Sequence, residues 1–302
     1  MNKFTYYNKL LDYKIKLILS RFVSDKSYLQ NKFYRKLNYT LNLDQPRTFN
    51  EKINSRMIDG YQTKFGLLAD KYLARLYVAA EIGDKYVIPL IDVFESLEDV
   101  DFSALPNSFV IKCNHDSGST LICNDKNNYC WSSAESKLKL CLKRDMYYRT
   151  RERHYYAIRR LILCEEKLDV FKNCDQETTP ELYRVHCFSG KAQFIEVDFT
   201  DRDGQEKINL YDTHWTLQPV TLGSPNNLNE NIKAPACLSE LLMLSAQLTA
   251  DFDYCRIDWF IVDNQIYFSE FTFTPYAGRM PFNPPSFDMH FGSFWPESEG
   301  RA

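Results

Sequence analysis

The stretch Tyr254–Thr274, YCRIDWFIVDNQIYFSEFTFT, constrains this chain more than any other. It reads as two strands joined at Asp263-Asn264. Phe260, Ile261 and Val262 before the turn, and Ile266, Tyr267 and Phe268 after it, supply the β-branched and aromatic content of strands. Side chains alternate between faces, so Arg256 and Asp258 share one face of the first strand, as do Glu270 and Thr272 on the second. Whether the two faces coincide is a question of register. With a plain two-residue turn Val262 faces Gln265, Asp258 faces Ser269, and Glu270 lies on the far side of the ribbon. One extra residue, in an odd loop or a bulge, brings Asp258 opposite Glu270 and Arg256 opposite Thr272. Opposed Cβ atoms lie about 4.5–5.5 Å apart, close enough for two carboxylates to share a Mg²⁺ ion. That ion binds through one or two carboxylates plus substrate phosphates. The sequence therefore predicts a bulge or odd loop between Asp258 and Glu270, with both side chains on one face. Asn264 tolerates the left-handed backbone that such a turn can need. The alternative is an Arg–Asp surface pair and an unrelated Glu on an ordinary hairpin.

A chain of 302 residues can bury a real core, here expected as two lobes. The net charge of -3 argues against a general polyanion binder, nucleic acid included. The nine cysteines form no Cys-x-x-Cys pair, and the five histidines have no zinc-like spacing. Cys113, Cys123, Cys164, Cys187 and Cys255 lie in apolar, strand-like contexts that suit a small hydrophobe and a reducing, cytoplasmic setting. The N-terminal LDYKIKLILSRFVS is interrupted by charges and too short for a membrane span. It is expected either to pack on the protein or to lie as a basic amphipathic helix on the inner face of a membrane.

Residues 1–60 read as helical. In PRTFNEKINSRMIDG, Thr48 with Glu51 forms a capping box and Gly60 a stop. LLADKYLARLYVAAEIG (67–83) has the spacing of one helix, and YVIPLIDVF follows as a strand. SFVIKCNHDSGSTLICND is two strands joined by a polar loop holding Gly118. Such a loop can turn backbone N–H groups toward phosphate oxygens while Lys112 adds charge, although any hairpin could look alike. Ser132 with Glu135 is expected to cap the next helix. From Lys137 to Arg160 nine basic residues face two acids, interleaved with Tyr147, Tyr148, Tyr155 and Tyr156. That pattern fits a solvated helix face, an acidic sugar polymer or single-stranded nucleic acid. ELYRVHCFSGKAQFIEVDF forms a hairpin about Ser189-Gly190. Leu238, Leu241, Leu242 and Leu248, with Ser245 between the last two, place an apolar stripe on a helix, leaving Ser239 and Glu240 outward. The Pro- and Phe-rich tail after Pro281 is expected to wrap the surface. The mixture of helices with antiparallel hairpins indicates an α+β fold.

In this order and spacing, several of these pieces resemble the TupA-like family of the ATP-grasp superfamily, associated with bacterial surface polysaccharide biosynthesis. The resemblance spans about residues 44–294. It rests on PRTFNEKI, LADKYLARLYV, YVIPLIDVF, DFSALPNSFVIKCNH, CEEKL, CFSGKAQFIEVD, YDTHW, RIDWFIVDNQIYFSEFTFTP and FGS. It implies two α+β lobes whose antiparallel sheets clamp ATP: 65–168 with a phosphate-covering loop and 169–302 with a metal site, after a helical segment at 1–64.

The resemblance also implies roles for individual residues. Lys71 and Lys112 would touch ATP phosphates, and the loop with His115, Ser117, Gly118 and Ser119 would close over them. Glu165, Glu166 and Leu168 would line the adenine edge, the last two mostly through backbone groups. Arg184 would lie near the phosphates, and Arg256 would stabilise the transferring phosphoryl group. Asp258 and Glu270 would hold Mg²⁺. Thr272 stands where the superfamily often has Asn as a third metal group, and Asp116 where the family's loop often has Gly. Arg202 is either a contact to an acidic substrate or a solvated turn residue. The implied reaction is ATP-dependent joining of a carboxylate to an amine through an acyl phosphate, for example an amino acid to a uronic acid of a polysaccharide precursor. The alternatives are phosphoryl transfer to a sugar hydroxyl and a non-catalytic carbohydrate- or nucleotide-binding module.

Overall fold

The computed structural model describes residues 1, 3–156, 158–200 and 204–295. Arg202 lies outside the described residues. In chain order the elements are helices α1 (Lys3–Leu19), α2 (Asp25–Leu37), α3 (Phe49–Asp59), α4 (Thr63–Ala69) and α5 (Lys71–Ile82), then strands β1 (Leu90–Phe94), β2 (Phe109–Cys113) and β3 (Leu121–Cys123). Helices α6 (Trp131–Leu142) and α7 (Met146–Thr150) lead to β4 (Ile162–Glu165), β5 (Leu182–Phe188), β6 (Lys191–Thr200), β7 (Glu206–Asp212) and β8 (Thr221–Leu222). Helix α8 (Leu238–Leu248), β9 (Tyr254–Val262), β10 (Gln265–Thr272), β11 (Phe282–Asn283) and α9 (Ser286–Ser293) complete the chain. One unit gathers Met1–Leu29, Tyr61–Leu76 and Ile88–Leu168, and a second gathers Gln30–Gly60, Tyr77–Val87 and the chain from Asp169 on.

The first unit is built on a four-stranded antiparallel sheet in the order β1-β4-β2-β3. Cys113, Cys123, Cys141 and Cys164 sit in its core with Phe109, Ile111, Leu138 and Ile162. Burial pushes the Cys164 thiol up to about 12, so it serves as a small apolar side chain. Two helix starts differ from the sequence expectation. The single helix over 67–83 is broken at Asp70, whose carboxylate accepts from the Tyr72 N–H (2.8 Å) and so caps α5. Ser132 is not a cap: α6 begins one residue earlier, where Trp131 stacks on Phe102 with ring centroids 4.6 Å apart. Glu135 instead pairs with Lys139 one turn on, at 2.7 Å.

The second unit carries a five-stranded antiparallel sheet, β10-β9-β5-β6-β7. The β5–β6 turn falls at Ser189-Gly190, both with positive φ. One sheet face, with Val185, Ile195, Val197, Ile257 and Trp259, is fully buried, and α8 contacts β5 and β6. The buried arc of α8 runs through Leu241, Leu244, Ser245 and Leu248, one turn-spaced set. Leu242, expected there, is only half-buried and Leu244 takes its place. Ser245 is in the arc for a polar reason. Its Oγ accepts the Trp259 indole N–H (2.9 Å) and donates to the Leu241 carbonyl (2.7 Å). Ser245→Ala leaves that buried N–H without its partner and is expected to cost about 1–3 kcal/mol in urea unfolding, with the folded spectrum unchanged.

The capping box on α3 is present as expected, with Thr48 and Glu51 each bonding the other's backbone. The tail does not wrap the surface. Helix α9 buries Phe287 and Phe291, and Phe291 stacks on Phe194 at 4.6 Å. Fully buried Phe49 meets Phe291 edge-on at 4.8 Å, so the tail's aromatic residues complete the core. Asn50 fixes α9 to α3 by donating its backbone N–H and Nδ2 to Asp288, each at 2.9 Å. A Cβ on Gly292 would lie 2.6 Å from the Arg47 carbonyl oxygen, which explains the glycine in FGS.

Candidate active site

The β9–β10 hairpin has the two-residue turn Asp263-Asn264, with φ of 50° and 63°. Gln265 faces Val262 and Phe268 faces Trp259, the regular register; the pairing then shifts between Phe268 and Glu270. Beyond that bulge at Ser269, Glu270 faces Asp258 and Thr272 faces Arg256. The expected extra residue is present, in the strand and not in the loop. It keeps Phe268 and Phe271 buried while turning Glu270 to the opposite face from Phe268.

That face continues across the sheet. Arg184 on β5 faces both Asp258 on β9 and Glu196 on β6, while His186 faces Arg256. Asp198, two residues beyond Glu196, shares the face. The result is a charged row on the opposite side of the sheet from α8. Arg256 donates from Nε to Asp258 Oδ1 and from Nη2 to Asp258 Oδ2, both at 2.7 Å, and to Thr272 Oγ1 at 3.3 Å. Arg184 donates to Glu196 Oε1 (2.5 Å) and Asp198 Oδ1 (2.6 Å), with Asp258 Oδ2 3.5 Å from its Nε. The Tyr276 hydroxyl donates to Glu196 Oε1 at 2.9 Å, and His186 Nε2 lies 3.2 Å from Glu196 Oε2.

Burial and charge set the protonation of this row. Burial raises Asp258, Arg256 opposes the rise, and the Glu270 carboxylate adds to it; the net direction is up. Burial and the Glu196 charge likewise push Asp198 up, against the pull of Arg184. Glu196, despite its own burial, is held well below the usual carboxylate range by Arg184, His186 and Arg256. Burial lowers His186, which favours the neutral ring. Glu270 stands opposite Asp258 in this row, and a divalent cation shared by the two would offset the repulsion between adjacent carboxylates. No group of three or more His, Cys, Asp and Glu side chains among the described residues is arranged to hold a metal unaided. The donor set thus fits Mg²⁺ held by Asp258 and Glu270 with phosphate oxygens supplying further ligands. Both Asp258 oxygens already accept from Arg256, so such an ion would use their second lone pairs.

In the first unit, Lys112 Nζ lies 2.5 Å from Glu165 Oε2, and Arg75 Nη1 lies 3.4 Å from Oε1. The Glu165 carboxylate is buried between these two cations. The Glu166 N–H donates to the Pro89 carbonyl at 3.0 Å, and Leu168 is half-buried just past the strand end. Asn114 anchors the β2–β3 loop: its Nδ2 donates to Asp70 Oδ1 and the Arg159 carbonyl, both at 2.8 Å. Lys71 Nζ donates to the Asp116 carbonyl at 2.9 Å. His115 and Ser119 turn inward, with Ser119 Oγ accepting the Cys113 N–H at 2.9 Å. Ser117 and Gly118 form the exposed tip, Gly118 with φ of 96°. The structure thus brings Lys112 and Glu165 together, ties Lys71 to the loop base, and gathers Arg184, Arg256, Asp258 and Thr272 with Glu270 opposite.

The sequence profile of the TupA-like ATPgrasp family matches residues 51–295. The chain belongs to the TupA-like ATP-grasp family. No curated protein matches it. Among solved structures, this ATP-grasp chain is similar to the D-alanine–D-alanine ligase of Bacillus anthracis complexed with ATP, at 17% identity and TM-score 0.38, over 68% of this chain and 53% of that one. It is similar to the L-amino acid ligase of Bacillus licheniformis at 11% identity and TM-score 0.41, over 86% and 56%. It is also similar to the macrocyclase MdnC of Microcystis aeruginosa bound with precursor peptide MdnA, at 14% and 0.38, over 78% and 63%. The chain spans between half and two thirds of the length of each. Glu196, Asp198, His186, Tyr276 and Arg75 were not among the residues expected from the sequence of this ATP-grasp protein. The two acids had a signal: in FIEVDF they alternate with apolar residues, which puts both on one face of a strand.

Proposed function

We propose that the chain is an ATP- and Mg²⁺-dependent ligase that joins a carboxylate to an amine through an acyl phosphate. The observation that carries this reading is the charged row with Asp258 opposite Glu270 across the bulge. Bound Mg²⁺ would neutralise phosphate charge as the γ-phosphoryl group is transferred. Lys112 and Lys71 would take nucleotide phosphates, with the Ser117-Gly118 tip offering backbone N–H groups. Glu165, Glu166 and Leu168 would lie along the adenine edge, and Glu165 also fixes the position of the Lys112 ammonium. Arg256, held in place by both Asp258 oxygens, would face the oxyanion of the acyl group; Arg184 keeps Glu196 and Asp198 in register with it. No general base is required for the first step, because a carboxylate is already the nucleophile.

For the substrate we propose a sugar carboxylate, such as a uronic acid of a polysaccharide precursor, joined to an amino acid. Support comes from the first unit, where Tyr61, Tyr147, Tyr148, Tyr156, Arg21 and Arg153 surround a cavity of about 620 Å³. Aromatic faces and guanidinium groups suit an anionic sugar ring. The experiment is an ADP-release screen pairing uronic acids with amino acids, followed by hydroxylamine trapping without amine. A hydroxamate is expected; phosphate found on a sugar hydroxyl would establish phosphoryl transfer instead.

Nucleotide binding has its own test. A non-hydrolysable ATP analogue with Mg²⁺ at a hundred times its Kd is expected to stabilise the fold by about 2.7 kcal/mol. Lys112→Ala is expected to remove most of that rise in Tm.

A further inference from the structure

The outer face of α1 has no role in this chemistry, yet it is apolar and exposed. Phe4, Tyr7, Leu11, Ile15, Ile18 and Phe22 are between 48% and 80% exposed. At 100° per residue Phe4, Tyr7, Leu11, Ile15 and Ile18 fall within an arc of about 80° and run roughly 21 Å along the helix. The turn that follows α1 carries the line on, with the Phe22 N–H donating to the Leu19 carbonyl at 3.1 Å. The opposite side of α1 is engaged with the protein: Tyr13 is buried and its hydroxyl accepts the Asp145 N–H at 3.2 Å. The apolar stripe is therefore a second, outward face.

Its rim is basic. Lys3 to Phe22 holds five basic residues and one acid, Asp12, a net charge of +4 in a chain of net charge -3. On the helical wheel Lys3 and Lys14 border one side of the stripe, with Arg21 in the turn after α1; Lys16, paired with Asp12 at 2.7 Å, lies toward the protein-facing side. No helix among the described residues is long and apolar enough to cross a membrane. An apolar stripe with bulky aromatics, edged by lysine and arginine, is the form of a helix that lies in the plane of a lipid headgroup layer. A second copy of the chain is the poorer occupant. Two such segments each carry a net charge of +4 and repel one another, whereas anionic headgroups complement them.

We infer that α1 and the turn after it dock this protein on a membrane surface rich in anionic lipid. This goes beyond the ligase reading and stands apart from it. The test uses the full chain and vesicles of phosphatidylcholine, with or without roughly a third phosphatidylglycerol. Co-sedimentation is expected with the anionic vesicles and not with the neutral ones, and it should weaken as salt rises. The variants Leu11→Glu/Ile18→Glu and Lys3→Glu/Lys14→Glu change only exposed positions and should keep the native circular dichroism spectrum. Each is expected to bind anionic vesicles at least about tenfold more weakly. Absence of binding by the unaltered chain would overturn the inference, as would binding undiminished in Leu11→Glu/Ile18→Glu. A dimer in solution that this same variant dissociates would overturn it too, by identifying the occupant as a second copy.

Discussion

Arg184→Met is expected to lower stability by about 3–5 kcal/mol. The methionine fills much of the space but leaves Glu196, Asp198 and Asp258 with only Arg256 and a neutral His186 for compensation. Three buried carboxylates cannot all stay ionised at that spacing. The sign of the pH response follows. Asp198 already sits above its ordinary value, and without Arg184 it rises further. The folded variant then binds protons more tightly than the unfolded chain, so its stability increases as pH falls from neutral toward the ordinary aspartate range. Urea unfolding at several pH values tests this. A loss that is the same at every pH would mean that Arg184 acts through packing, not charge.

Glu270→Gln is the second. The change is isosteric and removes one of the four acids, so the fold should persist. ATP-dependent turnover is expected to fall by about a hundredfold or more, because one of the two proposed cation ligands loses its charge. The melting temperature without nucleotide should hold, since the repulsion between Glu270 and Asp258 is relieved. Near-normal turnover in a folded variant would remove Glu270 from the site.

The hairpin at 254–274 shows how far the sequence could be read. The need for an extra residue followed from strand geometry alone, since two carboxylates can share a cation only on one face. Its position was also present in the apolar spacing: Ile266, Phe268, Phe271 and Phe273 are all buried, and the three-residue step between Phe268 and Phe271 is the bulge. The partners of that row were harder to see. Glu196 and Asp198 lie some 60 residues away; the β5–β6 hairpin sets them beside Arg184, but only the pairing of β5 with β9 brings that group to Asp258. Asp70 was misread because LADKY has helical spacing; the cap depends on Asn114, which binds the same carboxylate from another element. The tail was misjudged because Pro, Phe and Gly are typical of surface segments. Its aromatic residues enter the core because Phe49 on α3 and Phe194 on β6 meet Phe291 there.

The central claim is that Asp258 and Glu270, across the bulge, hold the cation that accompanies ATP. Mn²⁺ can stand in for Mg²⁺ and be followed by electron paramagnetic resonance with a non-hydrolysable ATP analogue present. The unaltered chain is expected to bind Mn²⁺ with the nucleotide, and Glu270→Gln to bind it at least about tenfold more weakly. Equal Mn²⁺ affinity in the two folded proteins would contradict the account.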